Sequence, residues 1–244
     1  HKAIRRQRQM CIRDRTYTLK DGVPYHGDKG QIRPGMWKFK NLTGDDNVID
    51  ENDKTVIGNA QPKFYGGLNN SFTYKGFDLS IFLTFSYGNE VLNATKLVTS
   101  KVGSLNYNAL DVMNSSNRWM TINTEGEKVT DPGELAVLNA GKTVAVYHDA
   151  QQGDNYIHSW AVEDASYLKL SNVTLGYTFP KNLIARVGLK NLRLYATGNN
   201  LLTWTKYSGF DPEVSTMKSG LTPGVDFGAY PLSRSFIFGL NVAF

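Results

Sequence analysis

The chain has 244 residues, of which 41% are apolar, 12% aromatic and 20% charged, with 23 glycines. That balance favours strands and turns over helices, and no apolar run approaches the roughly 18 residues that a membrane-crossing helix needs, so a helical membrane protein is excluded. The formal charge of +5 would ordinarily suggest a nucleic-acid partner, but residues 1–15 (HKAIRRQRQMCIRDR) hold six Lys or Arg against Asp14 and account for all of it. The rest of the chain sums to zero, so no nucleic acid is expected.

The basic tail over residues 1–15 matches nothing after it in composition and carries the only cysteine, Cys11. It resembles translated adapter sequence and is read as foreign to the fold, the alternative being a disordered basic arm. The expected organisation is this tail followed by one segment over residues 16–244. Without Cys11 there is no disulfide or thiolate chemistry.

Met36 to Lys40 reads as a short strand. Asn41 to Asp53 (NLTGDDNVIDEND) resembles a degenerate calcium loop, with Asn41, Thr43, Asp45, Asp50 and Asp53 as hard oxygen ligands. Its spacing departs from the usual loop, because Asp46 stands where a Gly belongs and Asn52 where a bidentate Glu belongs. The competing reading is an acidic turn. Calcium is the one ion the sequence suggests, and no other cofactor is expected.

Phe64 to Tyr74 and Phe77 to Tyr87 alternate with a period of two, and Lys75-Gly76 between them is a two-residue hairpin turn. The segment after Tyr87 is long. It holds His148, Asp149, Asp154 and His158, whose spacing specifies no geometry for metal or acid–base chemistry. No nucleophile elbow, phosphate-binding Gly-rich loop or HExxH is present, so the chain is not read as an enzyme. Trp119, Tyr147, Tyr156, Trp160, Trp204 and Tyr207 could stack on sugar rings, but girdles and loop packing are the plainer roles for them. No residue is assigned to a ligand.

Ser166 to Phe179 alternates as well, but its apolar parity switches from Leu168 and Leu170 to Val173, Leu175, Tyr177 and Phe179. A bulge near Ser171-Asn172 accounts for the switch. A helical turn is expected over Lys181 to Val187, a strand over Asn191 to Asn199, and a last strand over Ser235 to Phe244. In that last strand Phe236, Phe238, Leu240, Val242 and Phe244 share one face. A terminal Phe preceded by alternate apolar residues is the pattern that barrel-assembly machinery recognises as an added strand, and these five residues are assigned to that signal.

Counting backward from Phe244 puts the short connections, Lys75-Gly76 and 181–190, on one side and the long ones, 41–63, 88–165 and 200–234, on the other. Outer-membrane barrels sort their loops this way, with short turns on the periplasmic side and long loops outside. Six strands cannot close a barrel, and an open edge in lipid leaves backbone groups unsatisfied. The expected fold is therefore all-β: antiparallel strands forming the C-terminal part of a large transmembrane outer-membrane β-barrel, incomplete in this chain.

Four blocks carry a more specific resemblance: Asp46 to Val91, Glu163 to Pro180, Leu189 to Val214 and Tyr230 to Phe244. In this order they resemble the C-terminal end of SusC/RagA-type TonB-dependent outer-membrane transporters. The resemblance implies a plugged barrel of roughly 22 strands that imports glycan or peptide fragments. It also implies a SusD-like surface lipoprotein as lid, and coupling to the TonB complex through an N-terminal part not present here. A Gram-negative outer membrane, of Bacteroidota type, and contact with the lipid bilayer follow. Two alternatives stay open: another barrel such as a porin or adhesin, and a soluble all-β carbohydrate-binding module, in which the Phe77 to Tyr87 face would be buried against a second sheet.

Overall fold

In a computed structural model the chain is described over residues 8–10, 12–14, 35, 37–43, 51–100, 108, 110–144, 157–216 and 223–244. Its contacts divide it into two compact units. One comprises His1–Gly58, Leu92–Glu163 and Val225–Gly228; the other comprises Asn59–Val91, Asp164–Gly224 and Ala229–Phe244.

In the first unit, β1 (Arg8–Met10) and β2 (Ile12–Asp14) come from the basic tail, followed by β3 (Lys38–Phe39) and β4 (Lys54–Val56). β1 pairs antiparallel with β4, and β2 with β3. The expected strand at 36–40 thus exists as two residues outside the main sheet.

The second unit opens with β5 (Phe64–Tyr74) and β6 (Phe77–Tyr87), which have the bounds expected from their alternation. Lys75 and Gly76 both take positive φ, 46° and 89°, as a tight hairpin matched to strand twist requires. A Cβ on Gly76 would lie 2.7 Å from the Thr178 carbonyl oxygen, so glycine is needed there for space as well.

β7 (Glu90–Asn93) leads into α1 (Ala94–Thr99), whose first turn is held by the Asn93 side chain accepting from the Lys96 N–H. In α2 (Pro132–Leu138), Asp131 accepts from the Glu134 N–H and Pro132 occupies the first turn, where its missing N–H costs nothing. The side chain of Asn139 then clamps Met120, accepting from its N–H at 2.6 Å and donating to its carbonyl at 2.8 Å.

β8 (Val162–Asp164) precedes β9 (Tyr167–Thr178), and α3 (Lys181–Ile184) fills the expected helical turn before β10 (Asn191–Thr205). β11 (Val225–Asp226) pairs parallel with the Leu92-Asn93 end of β7, and β12 (Ser235–Ala243) closes the chain.

The principal sheet has five strands in the order β12-β10-β9-β6-β5, and every neighbouring pair is antiparallel. The bulge in β9 falls at Ser171: Phe82 faces Asn172, but the next residue, Leu83, faces Leu170. β10 is longer than expected. After an irregularity at Asn200-Leu201, Leu202 and Trp204 pair with Leu170 and Leu168, so β10, with two residues in its irregularity against one in β9, keeps its parity while β9 switches, and the ladder continues to Thr205.

Candidate functional site

The register aligns like with like across the sheet. On one face, Phe72, Leu79, Leu175, Ala196 and Phe238 form a row through all five strands, and Tyr74, Phe77, Tyr177, Leu194 and Leu240 form the next. Much of this face lies open: Phe72, Leu175 and Phe238 are 59%, 50% and 80% exposed. Leaving so much contiguous apolar surface in water would be strongly unfavourable. Among the described residues no second sheet packs on Phe77 to Tyr87, as a soluble sandwich requires.

Aromatic rings gather at both ends of this face. At the short-turn end, Phe77 and Tyr177 lie 4.5 Å apart and Tyr177 and Phe179 5.0 Å apart. At the long-loop end, Phe64 stacks on Tyr87 at 5.0 Å and meets Phe85 edge-on at 6.2 Å. Exposed Trp204 lies at the same end. From Phe77 to Tyr87 the strand rises about 33 Å at roughly 3.3 Å per residue. At a barrel tilt of 35–45° that is about 25 Å of height, the thickness of the apolar band of an outer-membrane barrel. A shallow cavity of about 570 Å³ at the long-loop end is lined by Phe64, Phe85, Leu168 and Trp204 together with Asp164, Ser166 and Lys206.

The opposite face is mainly polar, with Phe82 and Ile237 as apolar exceptions. Asn172 donates to Asn199 at 2.7 Å and Asn199 to Ser235 at 3.0 Å, while the Thr174 and Thr197 hydroxyls meet at 2.9 Å. Nearer the short turns the row is Thr73, Asp78, Gly176, Tyr195 and Gly239. Here large groups lie over glycines. Arg193 reaches over Gly176 to Asp78, and a Cβ on Gly176 would come within 2.5 Å of both. The ring of Tyr195 covers Gly239, 2.1 Å from where a Cβ would stand.

At the long-loop end of the polar face, Lys169 is only 3% exposed. Glu213, from the segment after β10, receives the Lys169 ammonium on one oxygen and the Tyr167 hydroxyl on the other at 2.6 Å. Sequence reasoning did not find Glu213, because its partners lie more than forty positions earlier and only the register shows them on the polar face.

The remaining residues singled out from sequence are dispersed. Phe236, Phe238, Leu240 and Val242 form the exposed apolar side of β12, with Phe244 just beyond it and also exposed. Of the five calcium candidates, Asp45 and Asp50 lie outside the described residues. Asp53 is fully buried, and its Oδ1 accepts from Leu42 N–H, Thr43 N–H and the Thr43 hydroxyl at 2.6, 3.0 and 3.2 Å. That oxygen holds the turn. Asn41 is half-buried in the same turn, and among the described residues no group of three or more acidic, His or Cys side chains is positioned for a metal.

Trp119 and Tyr207 are buried, which removes them as stacking surfaces; Tyr147 and Tyr156, like His148, Asp149 and Asp154, lie outside the described residues. Trp160 packs with Trp37 and His158 at ring separations of 5.1 and 6.1 Å. Burial, aided by the nearby Lys96 ammonium, pushes the His158 pKa down to about 4, so this imidazole is neutral near pH 7 and sits in a packed aromatic cluster.

No family model matches the chain. It is 36% identical over 220 residues to TonB-dependent receptor P3 of Formosa agariphila, covering 88% of this chain and 20% of that protein. It is 30% identical over 224 residues to TonB-dependent receptor SusC of Bacteroides thetaiotaomicron, covering 90% of this chain and 18% of that protein. In structure it resembles the RagAB peptide transporter, with a TM-score of 0.64 at 21% identity over 97% of this chain and 22% of the other. The open-open state of the RagAB peptide importer gives a TM-score of 0.62 at 23% identity, over 94% of this chain and 24% of the other. The five-strand sheet is thus a stretch of wall from a large outer-membrane barrel, its apolar face towards lipid and its polar face towards the lumen. The chain belongs to the SusC/RagA-type TonB-dependent receptors, and it spans about a fifth of the length of the curated relatives it matches.

Proposed function

We propose that the parent protein is a TonB-dependent outer-membrane transporter that imports glycan or peptide fragments together with a SusD-like surface lipoprotein, and that this chain supplies wall strands and outer loops. The observation that carries this reading is the two-faced sheet, with a largely apolar face, interrupted by Asn70, between two aromatic girdles and a hydrogen-bonded polar face behind it. A wall of this kind separates lipid from an aqueous path. Its own residues act by positioning and by excluding lipid, and transport is a conformational act with no bond made or broken.

The test is uptake by cells carrying the full-length parent gene. Radiolabelled oligosaccharide and peptide mixtures should be taken up only while TonB is present, and a surface lipoprotein should co-purify from detergent-solubilised outer membranes. Uptake that persists at full rate without TonB would favour an open porin and would overturn the proposal.

A further inference from the structure

The segment that follows β10 turns back over the lumenal face. Tyr207 is buried with Val91 and Ala165, its N–H donates to Thr205 Oγ1 at 3.1 Å, and its ring covers Gly209, where a Cβ would lie 2.4 Å away. Asp211, itself 6% exposed, accepts from the Glu213 N–H at 3.0 Å and from the Leu232 N–H at 3.3 Å. One carboxylate thus shapes the turn and ties it to the run that enters β12. Glu213 is then presented to the wall, where Lys169 and Tyr167 hold both its oxygens.

Lys169 belongs to the lumenal row Thr84, Lys169, Thr203. A lysine on an open wall of an aqueous lumen would be solvated; this one is buried, and a buried ammonium persists only where it is paired. In the adjacent row, Ser86, opposite Tyr167, is 8% exposed.

We infer that residues 207–214 form an inward strap across the lumenal wall at its outer end, and that Glu213 is the positioning residue that, through Lys169 and Tyr167, keeps it there and limits the size of molecule that reaches the wall beneath. The inference rests on the transporter reading for its meaning, but the geometry concerns the wall alone.

Its test uses the full-length parent in outer membranes, free of other cysteines, with Ser86→Cys as reporter and maleimide–polyethylene glycols of graded mass as probes. With the strap in place, labelling is slow and confined to the smallest reagent. In Glu213→Gln the rate should rise several-fold and the mass limit should increase. Tyr167→Phe, which removes one hydrogen bond and keeps the ion pair, should give an intermediate rate. The exchanged pair Lys169→Glu with Glu213→Lys should restore slow labelling. Heat-modifiable migration on gels confirms that each barrel has folded. Equal labelling of all masses with and without Glu213→Gln, or no recovery in the exchanged pair, would overturn the inference. Loss of TonB-dependent uptake in the unaltered parent would sink the transporter reading and leave this result standing.

Discussion

Arg193 reaches across the intervening strand to Asp78: Nε lies 3.0 Å from one carboxylate oxygen and Nη2 2.5 Å from the other, directly over Gly176. The pair joins β10 to β6 without touching the hydrogen-bond ladder of β9. It is two-pronged, which strengthens it, and roughly a third exposed, which weakens it through solvent screening. Alanine at Gly176 should displace the two side-chain ends and cost about 1 kcal/mol, close to the cost of Asp78→Ala. In the double variant the two effects should not add. Urea unfolding of the full-length parent in detergent checks this, and full additivity would mean that the glycine serves some other purpose.

Gly239 offers a sharper steric case, because the ring of Tyr195 occupies the space of its missing side chain. A glycine in a strand is weak unless an aromatic neighbour covers it. Gly239→Val should displace that ring and destabilise the parent by about 1–3 kcal/mol. Combined with Tyr195→Ala, the valine should cost less than it does alone, and thermal shift in detergent provides the comparison.

Charge placement separates the two faces. Ala196 stands mid-row on the apolar face and Thr197 beside it on the polar face. Arginine at Ala196 should cost about 2–4 kcal/mol, as expected for a cation at the bilayer midplane, and arginine at Thr197 far less. Equal costs in a lipid unfolding assay would count against the assigned sides.

His158 makes stability depend on pH. Its pKa is about 4 in the folded state against 6.5 for the free side chain, so the unfolded chain binds more protons between those values. Stability is full above about pH 6.5 and falls as the pH drops towards 4, by about 3 kcal/mol in all. Trp37 and Trp160 stand beside it as fluorescent reporters. Their emission under denaturant should show the loss from pH 7 to pH 4, and His158→Gln should flatten it.

Period-two alternation made β5, β6, the Lys75-Gly76 turn and β12 legible from the residues alone, and the parity switch located the bulge at Ser171. The continuation of β10 past Asn199 was hidden because Asn200-Leu201 breaks the alternation locally. The pairing of β1 with β4 and β2 with β3 has no signal in the tail, whose composition sets it apart but carries no information about strand partners. The glycine row and the Glu213 contact depend on register across three strands or over forty residues of separation. No local pattern encodes either, so the lumenal side of the wall emerged only from the fold.

The sheet separates lipid from lumen, and nitroxide labels placed singly from Leu194 to Asn199 in the full-length parent, reconstituted in bilayers, test that separation most directly. Relaxation by dissolved oxygen should be strong at 194, 196 and 198, and relaxation by a water-soluble nickel chelate strong at 195, 197 and 199. Accessibility without this alternation, or with the two sets reversed, would contradict the account.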